Sequence, residues 1–195
     1  MTMAYQQFYS GFLNANKNKQ HYACHSHYFW PDCTRDAMLA YWDDSAKYVD
    51  AKWGYFFETL VPELQQRISR ILNTGAPQQI VFAPNTHELL YRIMSCIDSR
   101  TPYKVVSTDS EFHSFQRQAS RMQEQGLIEL VTVPTKPYAT FASRFKAAIA
   151  EHNPELVFFS QVFFNSGYVV DDVSGIVNSV LNDNTIIVVD GYHGF

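Results

Sequence analysis

Two residues near the end of the chain, Asp190 and His193, follow the apolar run 186–189. The run predicts a buried strand that delivers an aspartate at its carboxyl end. Ligands of open α/β sheets bind at this end of the strands, so the carboxylate is a candidate for chemistry. A fixed anion there could keep the nitrogen of a bound ring protonated. The alternative is that Asp190 only caps a turn.

Two further loops place polar or aromatic residues at predicted helix starts. Asn85 and Thr86 open one helix, where free N–H groups and the helix dipole attract phosphate. An ordinary N-cap explains them as well. Phe112 could stack on a flat ring, and Ser114 could reach a phosphate. The alternative for this loop is a helix capped by Ser110, with Phe112 in the core.

The sequence lacks several motifs that would define other chemistry. It has no GxGxxG, no Walker lysine and no GxSxG elbow, which disfavours dinucleotides, P-loop nucleotides and serine hydrolysis. A histidine and cysteine cluster near the N-terminus has neither CxxC nor HExxH spacing, so we predict no metal site. The residues of a zinc alternative would be His21, Cys24, His25, His27 and Cys33. The stretch 25–27 could instead line a pocket for a substrate carboxylate.

The apolar positions predict the elements that must place these residues. Helices are expected over 34–53 and 62–72, followed by strands that alternate with helices. The predicted strands are 79–83, 104–108, 127–133, 156–161 and 185–190, and the helices are 86–97, 112–125, 141–151 and 173–181. This alternation indicates a three-layer α-β-α fold with a mostly parallel sheet. Right-handed crossovers would bring the strand-to-helix loops to one edge.

Composition narrows the function classes. The chain has 195 residues, 46% hydrophobic and 17% charged, which is typical of a globular protein. A net charge of −4 without a basic tract argues against nucleic-acid or anionic-membrane binding. No apolar stretch approaches the roughly 20 residues of a membrane span, and the N-terminus lacks a signal-peptide pattern. Three cysteines without framework spacing predict reduced thiols and a cytoplasmic location.

These loops, in this order, resemble the N-terminal half of a fold-type-I enzyme that depends on pyridoxal 5'-phosphate (PLP). The similarity is to the class V aminotransferase superfamily and to kynureninase-like proteins in particular, from about residue 25 to residue 195. Asp190-x-x-His193 is the most specific element. The resemblance implies that Asp190 pairs with the pyridine nitrogen, that Phe112 stacks on the ring and that His193 contacts the cofactor or substrate. The residues implied to bind the phosphate are Asn85, Thr86 and Ser114.

The resemblance also implies an organisation and an activity. Residues 1–60 would form an N-terminal arm with the first helix, and residues 61–195 the first part of the PLP-binding large domain. The expected enzyme is a kynureninase-like hydrolase that cleaves a Cβ–Cγ bond of an amino-acid substrate and works as a homodimer. The Schiff-base lysine and the small domain would lie beyond Phe195, so this chain would contain no catalytic residue.

Two alternatives to the hydrolase stay open from the sequence. A class V aminotransferase or a cysteine desulfurase-like lyase would use the same half-site. A non-catalytic α/β binding protein could carry the same fold, because none of the lysines in the chain lies after the last predicted strand.

Overall fold

The computed structural model describes residues 5–23, 27–98 and 100–194. The chain divides into two compact units, Met1–Phe82 and Ala83–Phe195. None of the helices in the described ranges is both long enough and apolar enough to cross a membrane.

The first unit is helical. Its helices are α1 (Ser10–Ala15), α2 (Cys33–Tyr48), α3 (Lys52–Tyr55) and α4 (Val61–Leu72), with a π-helical turn at Phe56–Leu60. The single helix predicted over 34–53 is broken, because Val49 adopts a left-handed backbone conformation with φ of 49°. Met38 and Trp42, which lie on the apolar stripe of this helix, are 62% and 69% exposed, and no residue of α2 is buried. The prediction for 62–72 is confirmed.

The strand predicted over 79–83 is also wrong. A short 3-10 helix, Pro77–Gln79, occupies its beginning, and residues 80–83 have no regular structure. Val81 is 70% exposed. The apolar pattern resembled a strand, but a strand needs a partner to satisfy its backbone N–H and C=O groups, and this segment pairs with none of the described strands.

The second unit contains a four-stranded parallel sheet, as predicted. The strands are β1 (Tyr103–Thr108), β2 (Ile128–Val133), β3 (Leu156–Ser160) and β4 (Ile186–Asp190), in the order β2-β1-β3-β4. Each lies within about two residues of its predicted bounds. Both β1 and β3 are largely buried, and the apolar run of β3 follows from burial on both faces of the sheet.

Helices cover both faces of this sheet, which gives the expected three layers. They are α5 (Thr86–Ser95), α6 (His113–Glu124), α7 (Phe141–His152) and a short α8 (Val173–Val177). Helices α5 and α6 pack over one face in a core of Leu90, Met94, Tyr103, Val105, Phe115, Ala119, Ile128, Leu156 and Phe158. Helices α7 and α8 pack over the other in a core of Val106, Val133, Phe141, Phe145, Ile149, Val157, Phe159, Phe163, Val170 and Ile176.

Candidate active site at the carboxyl edge of the sheet

The strand order places a crevice between β1 and β3. The chain leaves β1 toward β2 on one side and returns to β3 on the other, so β1 and β3 flank the point where the direction of sheet growth reverses. Ligands of open α/β sheets bind outside the carboxyl ends at such a point. The strand ends there are Thr108, Ser160 and Asp190, and Ser160 pairs in register with Asp190.

Asp190 belongs to the sheet face that α5 and α6 cover. Side chains alternate along a strand, and both Ile186 and Val188 pack into the core under these helices. Asp190 is two residues further on and therefore projects from the same face, as does Ser160, two residues after Phe158. The acid thus lies on the side of the sheet where two long helices begin.

Asp190 is partly buried, and one oxygen of its carboxylate accepts a hydrogen bond from the described residues. Its Oδ1 accepts a hydrogen bond of 2.9 Å from the backbone N–H of Tyr192, which is the turn-capping role. The other oxygen, Oδ2, accepts no hydrogen bond from the described residues, and no ion pair of the described ranges involves Asp190. One carboxylate oxygen therefore has no hydrogen-bond partner among the described residues.

The loop after β4 folds over the end of β3. The N–H of Gln161 donates to the carbonyl oxygen of Asp190 at 2.9 Å. Gly194 lies so close to the Gln161 side chain that a Cβ at this position would overlap it. His193 is partly buried, and its ring meets that of Tyr192 edge to face at 5.0 Å. The structure therefore places His193 in the loop beside Asp190.

Helix α5 begins at the pair predicted to bind phosphate. Asn85 is its N-cap, and the Asn85 Oδ1 accepts from the backbone N–H of Glu88 at 2.9 Å. The capping role is thus present, and the amide groups of the first turn remain directed outward from the helix start. Gln118 of α6 donates to the His87 carbonyl oxygen at 3.0 Å and contacts the His87 Nδ1 at 2.7 Å. These contacts hold the start of α5 against α6.

Helix α6 begins at the aromatic residue predicted to stack on a ring. Phe112 is the N-cap residue of α6, is 43% exposed and makes no side-chain cap. The alternative with Phe112 in the core and Ser110 as the cap is therefore wrong. Phe164, from the loop after β3, meets Phe112 edge to face at 5.1 Å, so the face of the Phe112 ring is not stacked on Phe164. Ser114 is partly buried in the first turn.

The loop after β3 forms a tight turn. Gly167 has a φ of 69°, and its N–H donates to the Phe163 carbonyl oxygen at 2.8 Å. The amide of Asn165 donates to the Ser110 Oγ at 3.2 Å. This turn therefore connects the loops that follow β1 and β3.

Glu111 also lies in the candidate site, although the sequence predicted no role of its own for it. It is fully buried, and its carboxylate accepts from the hydroxyls of Thr108 and Ser160, each at 2.5 Å, and from the Ser160 N–H at 3.2 Å. Burial and, to a smaller extent, the charge of Asp190 raise the pKa of Glu111 to about 7 against the lowering effect of these hydrogen bonds. The available signal was an acidic residue set among hydroxyl residues directly after a buried strand.

This raised pKa predicts a pH-dependent stability. The ordinary pKa of Glu111 is 4.5, and the folded protein holds its proton up to about pH 7. Between these values the folded state binds more protons than the unfolded state, so stability falls as the pH rises. We expect Glu111 to account for a loss of about 3 kcal/mol across this window. Urea unfolding from pH 4.5 to pH 8 measures it.

Glu111→Gln removes the titrating group and should flatten this part of the stability profile. Glu151→Gln is the matched control, because Glu151 is exposed on α7 and its replacement should leave the slope unchanged. Equal slopes for the wild type and Glu111→Gln would contradict the assigned pKa.

The described residues contain no group of three or more histidine, cysteine, aspartate or glutamate side chains that could hold a metal ion. Cys24 and His25 of the zinc alternative, and Ser26 of the proposed carboxylate pocket, lie outside the described residues. Cys33 is exposed with a free thiol.

Comparison with known proteins agrees with this architecture. A parallel α/β fold with an acid at a strand end and two helix starts at the same sheet edge is typical of ligand-binding sites of the doubly wound type. The sequence model of the class-V aminotransferase family matches residues 30–195. The chain belongs to this family, whose members are PLP-dependent. A search of curated proteins finds no match.

Solved structures of PLP proteins share the fold. A mutant of C-DES with glycine covalently linked to its PLP cofactor is 16% identical, with a TM-score of 0.78 over 96% of this chain and 49% of that chain. The cystine C–S lyase C-DES with its product cysteine persulfide is 17% identical, with a TM-score of 0.70 over 86% and 46%. The chain thus spans about half the length of these structures.

A third solved structure is an aminotransferase. Histidinol-phosphate aminotransferase from Sinorhizobium meliloti, in complex with PLP, is 20% identical, with a TM-score of 0.54 over 75% of this chain and 39% of that chain. At these identities the likeness concerns the fold.

The residues at the carboxyl edge fit a PLP molecule chemically. Oδ2 of Asp190 accepts no hydrogen bond from the described residues. Phe112 at the start of α6 is 43% exposed, and the rings of Phe164 and His113 lie against it. Ser107, on the same sheet face as Asp190, is fully buried, and its hydroxyl has no hydrogen-bond partner among the described residues. A buried polar atom without a partner is unusual and is consistent with a polar ligand nearby.

Proposed function

We propose that this protein binds PLP at the carboxyl edge of its sheet and takes part in a PLP-dependent reaction on an amino acid. The observation that carries the proposal is Asp190, a partly buried residue at the carboxyl edge of a class-V aminotransferase fold, whose Oδ2 accepts no hydrogen bond from the described residues. PLP, when bound, supplies a pyridinium ring that accepts electrons from a substrate carbanion.

The role of Asp190 is to keep the ring nitrogen protonated. A carboxylate close to that nitrogen favours its charged form by charge pairing, and partial burial strengthens the pairing because less water screens it. The hydrogen bond from Tyr192 leaves Oδ2 for this contact and fixes the orientation of the carboxylate.

The other proposed contacts divide between the ring and the phosphate. Phe112 would hold the plane of the ring, since its side chain is 43% exposed at the start of α6. Asn85 and Thr86 at the start of α5, with Ser114 at the start of α6, would bind the phosphate through first-turn N–H groups and hydroxyls. His193, in the loop beside Asp190, would face the phenolic oxygen or the substrate carboxylate.

We propose one particular reaction and an alternative to it. Phe112 supports a kynureninase-like cleavage of a Cβ–Cγ bond by its similarity to kynureninases at this position. The fold likeness to the cystine C–S lyase C-DES supports a lyase on a sulfur amino acid as the alternative. A substrate panel on the intact enzyme, with kynurenine, 3-hydroxykynurenine, cystine and alanine with an oxo acid, distinguishes them by product. The Schiff-base lysine, the homodimer and the cytoplasmic location remain predictions.

Titration of the protein with PLP tests the proposal. PLP is achiral, so it should acquire circular dichroism in its visible absorption band when it binds in an asymmetric protein site. We expect a saturable signal with PLP and a much weaker one with pyridoxal, which lacks the phosphate that the start of α5 would bind. Absence of an induced signal at millimolar PLP, from a protein shown to be folded, would overturn the proposal.

A further inference from the structure

Strands β1 and β3 separate toward the candidate site. Their paired residues are Val105 with Leu156 and Val106 with Val157, near the middle of β1 and the start of β3. In contrast, β3 and β4 stay paired up to Ser160 and Asp190. The carboxyl ends of β1 and β3 therefore lack the ladder that holds the rest of the sheet together, at the point where the ligand is proposed to bind.

Glu111 occupies this gap. One carboxylate oxygen accepts from the hydroxyl of Thr108 at the end of β1 and from the backbone N–H of Ser160 at the end of β3. The other oxygen accepts from the Ser160 hydroxyl. Thr108 Oγ1 in turn accepts from the Ser110 N–H at 3.1 Å, which directs the Thr108 proton toward Glu111. A side chain thus replaces the missing backbone ladder.

The bridge is connected to both proposed ring contacts. Phe112 is the next residue in the chain, so the backbone that carries it is anchored by the buried Glu111 side chain. Ser160 is the strand partner of Asp190, and the next residue, Gln161, donates its N–H to the Asp190 carbonyl oxygen. The charge of Asp190 is one of the causes that raise the pKa of Glu111.

We propose that Glu111 is a positioning residue, which bridges the separated ends of β1 and β3 and so holds Phe112 and Asp190 at the spacing that a flat cationic ring requires. The assignment of the ring rests on the proposed function, while the bridge itself does not. Glu111 is buried beneath the site and acts through its neighbours. A hydrogen-bonded bridge at this depth sets the geometry of a site that otherwise depends on the loops after the strands.

Replacement of Glu111 by alanine and by glutamine tests this role. Alanine removes the bridge, whereas glutamine keeps an acceptor oxygen for Thr108 and the Ser160 N–H and can donate to the Ser160 hydroxyl. Without ligand, we expect Glu111→Ala to speed amide hydrogen exchange at Ser160 and Gln161, with exchange at Val105 and Phe158 unchanged. With PLP, we expect the dissociation constant to rise about tenfold in Glu111→Ala and to stay near the wild-type value in Glu111→Gln.

Ile149→Ala is the control for a purely structural effect, since Ile149 is buried in α7 under the opposite sheet face. It should lower stability without changing the exchange at Ser160 or the PLP affinity. The inference is overturned if Glu111→Ala leaves Ser160 exchange unchanged, or if Ile149→Ala reproduces its effects. If the wild type binds no PLP, the proposed function fails, and the exchange measurement still decides whether Glu111 forms the bridge.

Discussion

Asp190→Asn is expected to weaken PLP binding about 100-fold, which corresponds to about 3 kcal/mol. The amide keeps the size of the side chain and the oxygen that accepts from Tyr192, so the turn after β4 should persist. It removes the charge that would pair with the protonated ring nitrogen. Induced circular dichroism of bound PLP measures the affinity, and unfolding in urea verifies that the fold is retained.

The matched control is Asp171→Asn, because Asp171 is exposed before α8 and has no role in the site. Its PLP affinity should equal that of the wild type. If Asp190→Asn binds PLP as tightly as the wild type, the carboxylate is only a turn cap and the assignment of the ring site to this strand end is wrong.

Phe159→Ala is expected to cost about 3–5 kcal/mol of unfolding free energy, the largest stability effect that we predict. Phe159 is completely buried in β3 and meets the ring of Phe145 in α7 at 5.5 Å in an edge-to-face contact. Its loss removes the apolar burial and leaves a cavity that the close-packed sheet and helix cannot fill. Urea unfolding monitored by circular dichroism measures the change.

Leu181→Ala is the comparison, since Leu181 is 89% exposed and its replacement should stay within about 0.5 kcal/mol of the wild type. A small effect at Phe159, similar to that at Leu181, would mean that the core under α7 is not packed as described.

Much of the second unit follows from local pattern. Apolar runs that end in Thr108, Ser160 and Asp190 predicted three strands, and these strands are present to within a residue or two. These strands could be predicted from the sequence because a strand covered on both faces is mostly apolar. Asn85 was predicted at a helix start, and it is the N-cap of α5.

The first unit was predicted less well. The apolar spacing over 34–53 predicted one amphipathic helix, yet the helix breaks at Val49, and Met38 and Trp42 are exposed. Residues 79–83 have the composition of a strand and lack a partner among the described strands. A pattern reports which side chains would gain from burial, but whether another surface covers them depends on residues far away in the chain.

The candidate site was likewise predictable from the sequence only in part. Residue types alone placed an acid, an aromatic ring and helix starts at one edge of a parallel sheet, because alternation and crossover handedness follow from local chain geometry. The bridge made by Glu111 joins residues 49 positions apart, and its burial and proton affinity arise from that contact. Desolvation and charge coupling depend on distances in space, so only the folded chain could assign them.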